Sequence, residues 1–134
     1  MKLKSTNNPE SVMNILLVDD DAMMTQLLSH KLSSHGYCVE TAATGWDALH
    51  NLSAKKYDLL ITDLMMPDIS GLTLISLLKN YVFEKMPVII ITSLDQPTSI
   101  LSGIGMGVLD YFTKPINVDK LIERIDSIST AKPN

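Results

Sequence analysis

Cysteine occurs once in this chain, as Cys38, so no internal disulfide can form. Its apolar surroundings predict a reduced core thiol and a cytoplasmic protein. No apolar run approaches the ~20 residues needed to span a bilayer. Met1–Glu10 lack the apolar centre of a signal peptide. These absences argue against a secreted or membrane-embedded protein. Positive charge is also short: 11 Lys and Arg stand against 15 acids, for a net charge of −4. Binding nucleic acid needs a basic face that displaces counterions, so a direct nucleic-acid partner is not expected. There is no internal repeat and no low-complexity stretch.

What is present suits one globular domain. The chain has 134 residues, 46% of them apolar and 19% charged, which rules out a disordered or fibrous class. A chain of this size can bury about two-thirds of its unfolded surface in one core. We expect polar tails over residues 1–13 and 130–134, with the domain between them over 14–129.

Two apolar patterns alternate. Asn14–Val18, Leu59–Ile61 and Pro87–Ile91 are short β-rich runs without polar alternation, as expected of strands covered on both faces. Tyr37–Ala42 and Val108–Phe112 are further strand candidates. Between them, Met24, Leu27, Leu28 and Leu32 follow helical spacing, and Gly36 ends that helix. Thr44 is a candidate N-cap ahead of Trp46, Leu49 and Leu52. Leu74, Leu77, Leu78 and Tyr81 mark a third helix, and Val118 to Ile128 the last, capped by Asn117. Thr98–Met106 should be the fourth helix, although Gly103 and Gly105 each cost about 1 kcal/mol against Ala in a helix interior. Five β-α units imply a parallel sheet with right-handed crossovers and helices on both faces.

Ligands in such open sheets sit beyond the carboxyl ends of the strands. Here those ends carry Asp19, Asp20 and Asp21 (strand 1), Asp63 (strand 3), Thr92 (strand 4) and Lys114 (after strand 5). Clustered carboxylates repel and raise one another's pKa. A hard divalent cation, Mg²⁺ or Mn²⁺, relieves that conflict by taking oxygen ligands. Asp63 then becomes a nucleophile toward phosphorus, giving an aspartyl phosphate. Lys114 can neutralise phosphoryl oxygens, and the Thr92 hydroxyl can donate to one. Asp21 serves equally well as a cap of the first helix, where an acid complements the dipole.

The runs Ile15-Leu16-Leu17-Val18-Asp19-Asp20-Asp21, Asp63-Leu64-Met65-Met66-Pro67-Asp68-Ile69-Ser70-Gly71, Thr92-Ser93 and Asp110-Tyr111-Phe112-Thr113-Lys114-Pro115 resemble the receiver domain of two-component response regulators. The resemblance spans Asn14 to about Ser129. It implies a flavodoxin-like (βα)5 fold with strand order 2-1-3-4-5 and a cis Lys114–Pro115 bond. It also implies a regulatory phosphoacceptor rather than an enzyme turning over an external substrate. Asp63 would be the phosphoacceptor, Asp20 the closer metal ligand, Asp19 a ligand largely through water, and the Met65 carbonyl a further ligand. Thr92 and Tyr111 would form the switch pair, and Lys114 the site lysine. A histidine kinase or histidine phosphotransfer protein would be the donor. The output face would be the fourth helix, fifth strand and last helix. Ser93 replaces the Ala common in the family, and Gly103 and Gly105 are unusual. Met65 and Leu94, both apolar, would cover the site from water and prolong the phosphorylated state.

Two other classes compete. A small Mg²⁺-dependent phosphohydrolase of the haloacid dehalogenase type shares an acid pair after strand 1, but this chain offers Met23 where that family wants Thr or Val. A flavin binder would need a hydroxyl- and glycine-rich loop where three acids stand.

Overall fold

In the computed structural model, residues 12–66, 68–78, 86–93 and 108–131 are described. They form a five-stranded parallel sheet of β1 (Asn14–Val18), β2 (Cys38–Ala42), β3 (Leu59–Asp63), β4 (Val88–Thr92) and β5 (Val108–Thr113). The strand order is β2-β1-β3-β4-β5. The described helices are α1 (Ala22–Ser34), α2 (Gly45–Ala54), α3 (Gly71–Leu77) and α4 (Val118–Ala131). The expected helix over Thr98–Met106, with Gly103 and Gly105, lies outside the described residues, as do Tyr81 and Leu94.

The continuous apolar runs are explained by layering. Ile15 and Leu17 of β1, Leu59 and Ile61 of β3, and Ile89 and Ile91 of β4 pack with Leu28 and Leu32 of α1 and Leu121 and Ile125 of α4. The alternate residues Leu16, Val18, Leu60 and Ile90 pack with Ala48 and Leu52 of α2 and Leu74 and Ile75 of α3. Both faces of the central strands are therefore dry, and period-2 alternation vanishes from their sequence. It reappears on the edge strand β5, where half-buried and exposed residues alternate.

Local signals place the helix ends. Met24 N–H donates to Asp21 Oδ1 at 3.2 Å, and Asp47 N–H to Thr44 Oγ1 at 3.0 Å. Lys120 N–H donates to Asn117 Oδ1 at 3.1 Å. Each satisfies one amide that the helix itself cannot. Gly36, with φ of 103°, supplies the left-handed residue after α1.

Four expectations fail. Cys38 is exposed rather than in the core, because β2 is an edge strand and Cys38 opens it. Leu27 is 50% exposed although Leu28 is only 1% exposed. The buried positions of α1 are Thr25, Leu28 and Leu32, and one residue's offset turns Leu27 about 100° away from that stripe. Trp46 is 63% exposed for the same reason, since α2 buries Gly45, Ala48 and Leu52. At the chain's start, Met13 is buried with the α1/α4 layer, although the sequence placed it in a polar tail.

This register predicts a sharp contrast between neighbours. Leu28→Ala should cost about 2–5 kcal/mol, and Leu27→Ala less than about 0.5 kcal/mol. Urea unfolding of the two variants measures both values, and equal losses would refute the assigned face.

Candidate functional site

The site forms where β1, β3 and β5 end along one edge. Asp19 directly follows β1 and is almost fully buried. Its amide donates to the Ala42 carbonyl at 3.1 Å, tying it to the end of β2. Its Oδ1 accepts from Asp21 N–H at 2.9 Å. Asp20 points to solvent. Asp21 turns to cap α1, which resolves its open assignment in favour of the cap.

Asp63, the last residue of β3, is also almost fully buried. Its Oδ1 accepts from Met65 N–H at 3.2 Å. The loop after it closes tightly, with Gly71 N–H donating to the Leu64 carbonyl at 2.9 Å. A Cβ at Gly71 would lie 2.2 Å from the Asp63 carbonyl oxygen and 2.9 Å from Leu64 Cα. Only glycine lets α3 start this close to the acid.

Lys114 closes the cluster from β5. Its backbone N–H donates to the Thr92 carbonyl at 2.8 Å, and the Lys114–Pro115 peptide is cis, as expected. The ammonium lies 3.0 Å from both Asp19 Oδ2 and Asp63 Oδ2. Toward Asp63 the geometry is that of a hydrogen bond. Asp19 Oδ2, a buried oxygen, meets the same ammonium as an ion pair whose geometry falls short of a hydrogen bond.

Carboxylate oxygens of Asp19, Asp20 and Asp63 all lie within 4.8 Å of one another. Two unit charges 4 Å apart interact by about 4 kcal/mol at an effective dielectric constant of 20. One ammonium 3.0 Å from two of the acids offsets much of that repulsion, yet three carboxyl groups against one ammonium leave the cluster with an excess of formal negative charge. Burial raises the Asp19 pKa and the Asp63 charge adds to the rise, which outweighs the Asp21 amide and Lys114. Burial alone would lower the Lys114 pKa, but the neighbouring Asp63 and Asp19 carboxylates raise it above the ordinary lysine value. The ammonium form is thus secure at neutral pH. An all-oxygen donor set, excess negative charge and an orphaned carboxylate oxygen fit a hard divalent cation such as Mg²⁺.

The other expected residues fall as follows. Thr92 ends β4, opposite Thr113 in register, and is fully buried. Tyr111 lies opposite Ile90 with its ring partly exposed on β5, outside the acid cluster. The Met65 side chain is 59% exposed. Leu94, the other half of the expected apolar cover, lies outside the described residues. Asp68 had no role assigned from sequence, yet it accepts from Gly45 N–H at 3.0 Å and Trp46 N–H at 2.8 Å.

Comparisons with known proteins agree with the geometry. A family model described as "Response regulator receiver domain" matches residues 15–126. The transcriptional regulatory protein GlrR of Escherichia coli K12 is 38% identical over 113 residues, covering 84% of this chain and 25% of that protein. The chain spans between a quarter and about half the length of the curated relatives it matches. The receiver domain of a Francisella response regulator superposes with a TM-score of 0.81 at 31% identity, covering 89% of this chain and 98% of that one. The response regulator TrrA of Thermotoga maritima, solved in complex with Mg²⁺-BeF, gives a TM-score of 0.78 at 31% identity over 87% and 99% of the two chains. Among the described residues, no helix is long and apolar enough to cross a membrane.

The electrostatics predict that Asp19→Asn stabilises the metal-free protein at pH 7, raising Tm by about 2–4 °C per kcal/mol relieved. A raised carboxyl pKa means the fold prefers the protonated form, so Asp19 costs stability only above its unfolded value of about 4. The advantage of Asn should therefore shrink as pH falls through the raised Asp19 pKa and vanish below about 4. Thermal melts of both proteins from pH 3 to 7 check the sign.

Proposed function

Because this chain belongs to the response regulator receiver domain family, we propose that it is the phosphoacceptor module of a two-component phosphorelay. Family membership also sets aside the haloacid-dehalogenase phosphohydrolase considered from the sequence. The observation that carries the reading is the Lys114 ammonium held 3.0 Å from both Asp19 and Asp63, with Asp20 completing the acid cluster.

In this reading an Asp63 carboxylate oxygen attacks the phosphorus of a phosphohistidine on a histidine kinase or histidine phosphotransfer protein. A P–O bond forms as the P–N bond breaks, and the departing imidazole nitrogen keeps the electron pair and is protonated. Lys114 neutralises charge on the transferring group. Asp19, Asp20, Asp63 and the Met65 carbonyl would hold Mg²⁺ or Mn²⁺, with Asp20, the exposed acid, free to bind it directly. The bound cation supplies Lewis-acid stabilisation of the phosphoryl oxygens.

The aspartyl phosphate then recruits the Thr92 hydroxyl as a donor, and Tyr111 turns toward the space Thr92 leaves. The face around β5 and α4 would carry the change to a downstream partner. Some of the longer relatives, such as GlrR, are transcriptional regulatory proteins, but the output of this chain is open to any protein that reads that face.

Incubation with acetyl phosphate and Mg²⁺ should add one phosphoryl mass. Asp63→Asn should abolish it, and chelation of the metal should suppress it. Mass spectrometry of the intact chain decides; full labelling of the Asn variant would remove Asp63 from its assigned role.

A further inference from the structure

Helix α2 begins with amides that have no partner inside the helix. Thr44 takes the Asp47 amide. The Gly45 and Trp46 amides go to the two carboxylate oxygens of Asp68, which is 22 and 23 residues away on the loop that follows Asp63. The anion also faces the positive end of the helix dipole. Burial would raise the Asp68 pKa, but the Trp46 and Gly45 amides outweigh it and hold the carboxyl ionised.

The contact is built from both sides. A Cβ on Gly45 would lie 2.1 Å from Ile69 Cγ1 and 2.7 Å from Ile69 Cδ1. The residue after Asp68 is therefore seated directly on the start of α2. At its ends the loop is fixed by Gly71 against Asp63 and Leu64. Its other end carries Met65, whose amide holds Asp63 Oδ1. Among the described residues, Asp68 makes the side-chain hydrogen bonds that tie the middle of this loop to another element.

We propose that Asp68 is a positioning residue for the metal-binding loop, clamping it to α2 so that the Met65 backbone is held toward the acid cluster. The proposal rests on the phosphoacceptor reading, in which the Met65 carbonyl is a ligand. Outer-sphere groups that orient ligands commonly contribute about 10- to 100-fold to metal affinity. Trp46, the sole tryptophan, sits on the clamp with an exposed ring, so its fluorescence should report Mg²⁺ binding.

The test compares wild type, Asp68→Ala, Asp68→Asn and Gly45→Ala in the full chain. Each is titrated with Mg²⁺ by Trp46 fluorescence and by acetyl-phosphate labelling rate. Asp68→Ala should weaken apparent Mg²⁺ affinity about tenfold, and saturating Mg²⁺ should restore the labelling rate. Asp68→Asn, with one acceptor oxygen left, should fall between. Gly45→Ala should act in the same direction by displacing Ile69 while leaving the Asp68 carboxylate and both donor amides chemically intact. If Asp68→Ala and Asp68→Asn bind Mg²⁺ like wild type and only melt at lower temperature, Asp68 is a helix cap and the proposal is wrong. If wild type itself neither binds Mg²⁺ nor labels, the phosphoacceptor reading falls, and the proposal with it.

Discussion

The structure depends on an unequal charge balance at one edge of a dry sheet. Asp19 and Asp63 are almost fully buried, and Lys114 is the ammonium held against both. Removing a carboxylate from water is expensive unless it is paired and hydrogen-bonded. Lys114 and two backbone amides meet most of that cost. The remainder is Asp19 Oδ2, which meets the Lys114 ammonium at 3.0 Å as an ion pair but accepts no hydrogen bond. A folded protein that keeps such a defect is poised to take up positive charge.

Everything around the cluster keeps it close and dry. β1 and β3 are neighbours with Val18 opposite Thr62, so Asp19 and Asp63, the next residues of each, emerge side by side at the same edge. Thr92 leads β4 out at that edge, and its carbonyl anchors the Lys114 backbone. Gly71 lets α3 begin almost on top of Asp63. Two apolar layers stiffen the strands beneath. The buried Asp19 and Asp63 therefore cannot splay apart to relieve their repulsion, and at neutral pH a cation would relieve it.

Much of this was legible in the sequence because its cause is local. Central strands covered on both faces read as unbroken apolar runs, and their polar ends read as a site. Caps such as Thr44 and Asn117 act within three residues. Where tertiary placement decides, the sequence misleads. Cys38 has apolar neighbours but opens an edge strand. Leu27 and Trp46 fit a helical repeat counted loosely, yet they stand one residue off the buried stripe. Asp68 escaped notice because an acid after a proline reads as a turn former. Its partners lie more than 20 residues away, and no spacing rule connects them.

The central claim is that the acid cluster is a cation site left under-neutralised by Lys114, and the most direct measurement is thermal stability against Mg²⁺ concentration at neutral pH. Ligand binding to the folded state should add about 1.4 kcal/mol at ten times the dissociation constant and continue to rise logarithmically. The account predicts that rise for wild type and a much smaller one for Asp20→Ala. A melting temperature indifferent to Mg²⁺ across the millimolar range, or an equal rise in both proteins, would contradict it.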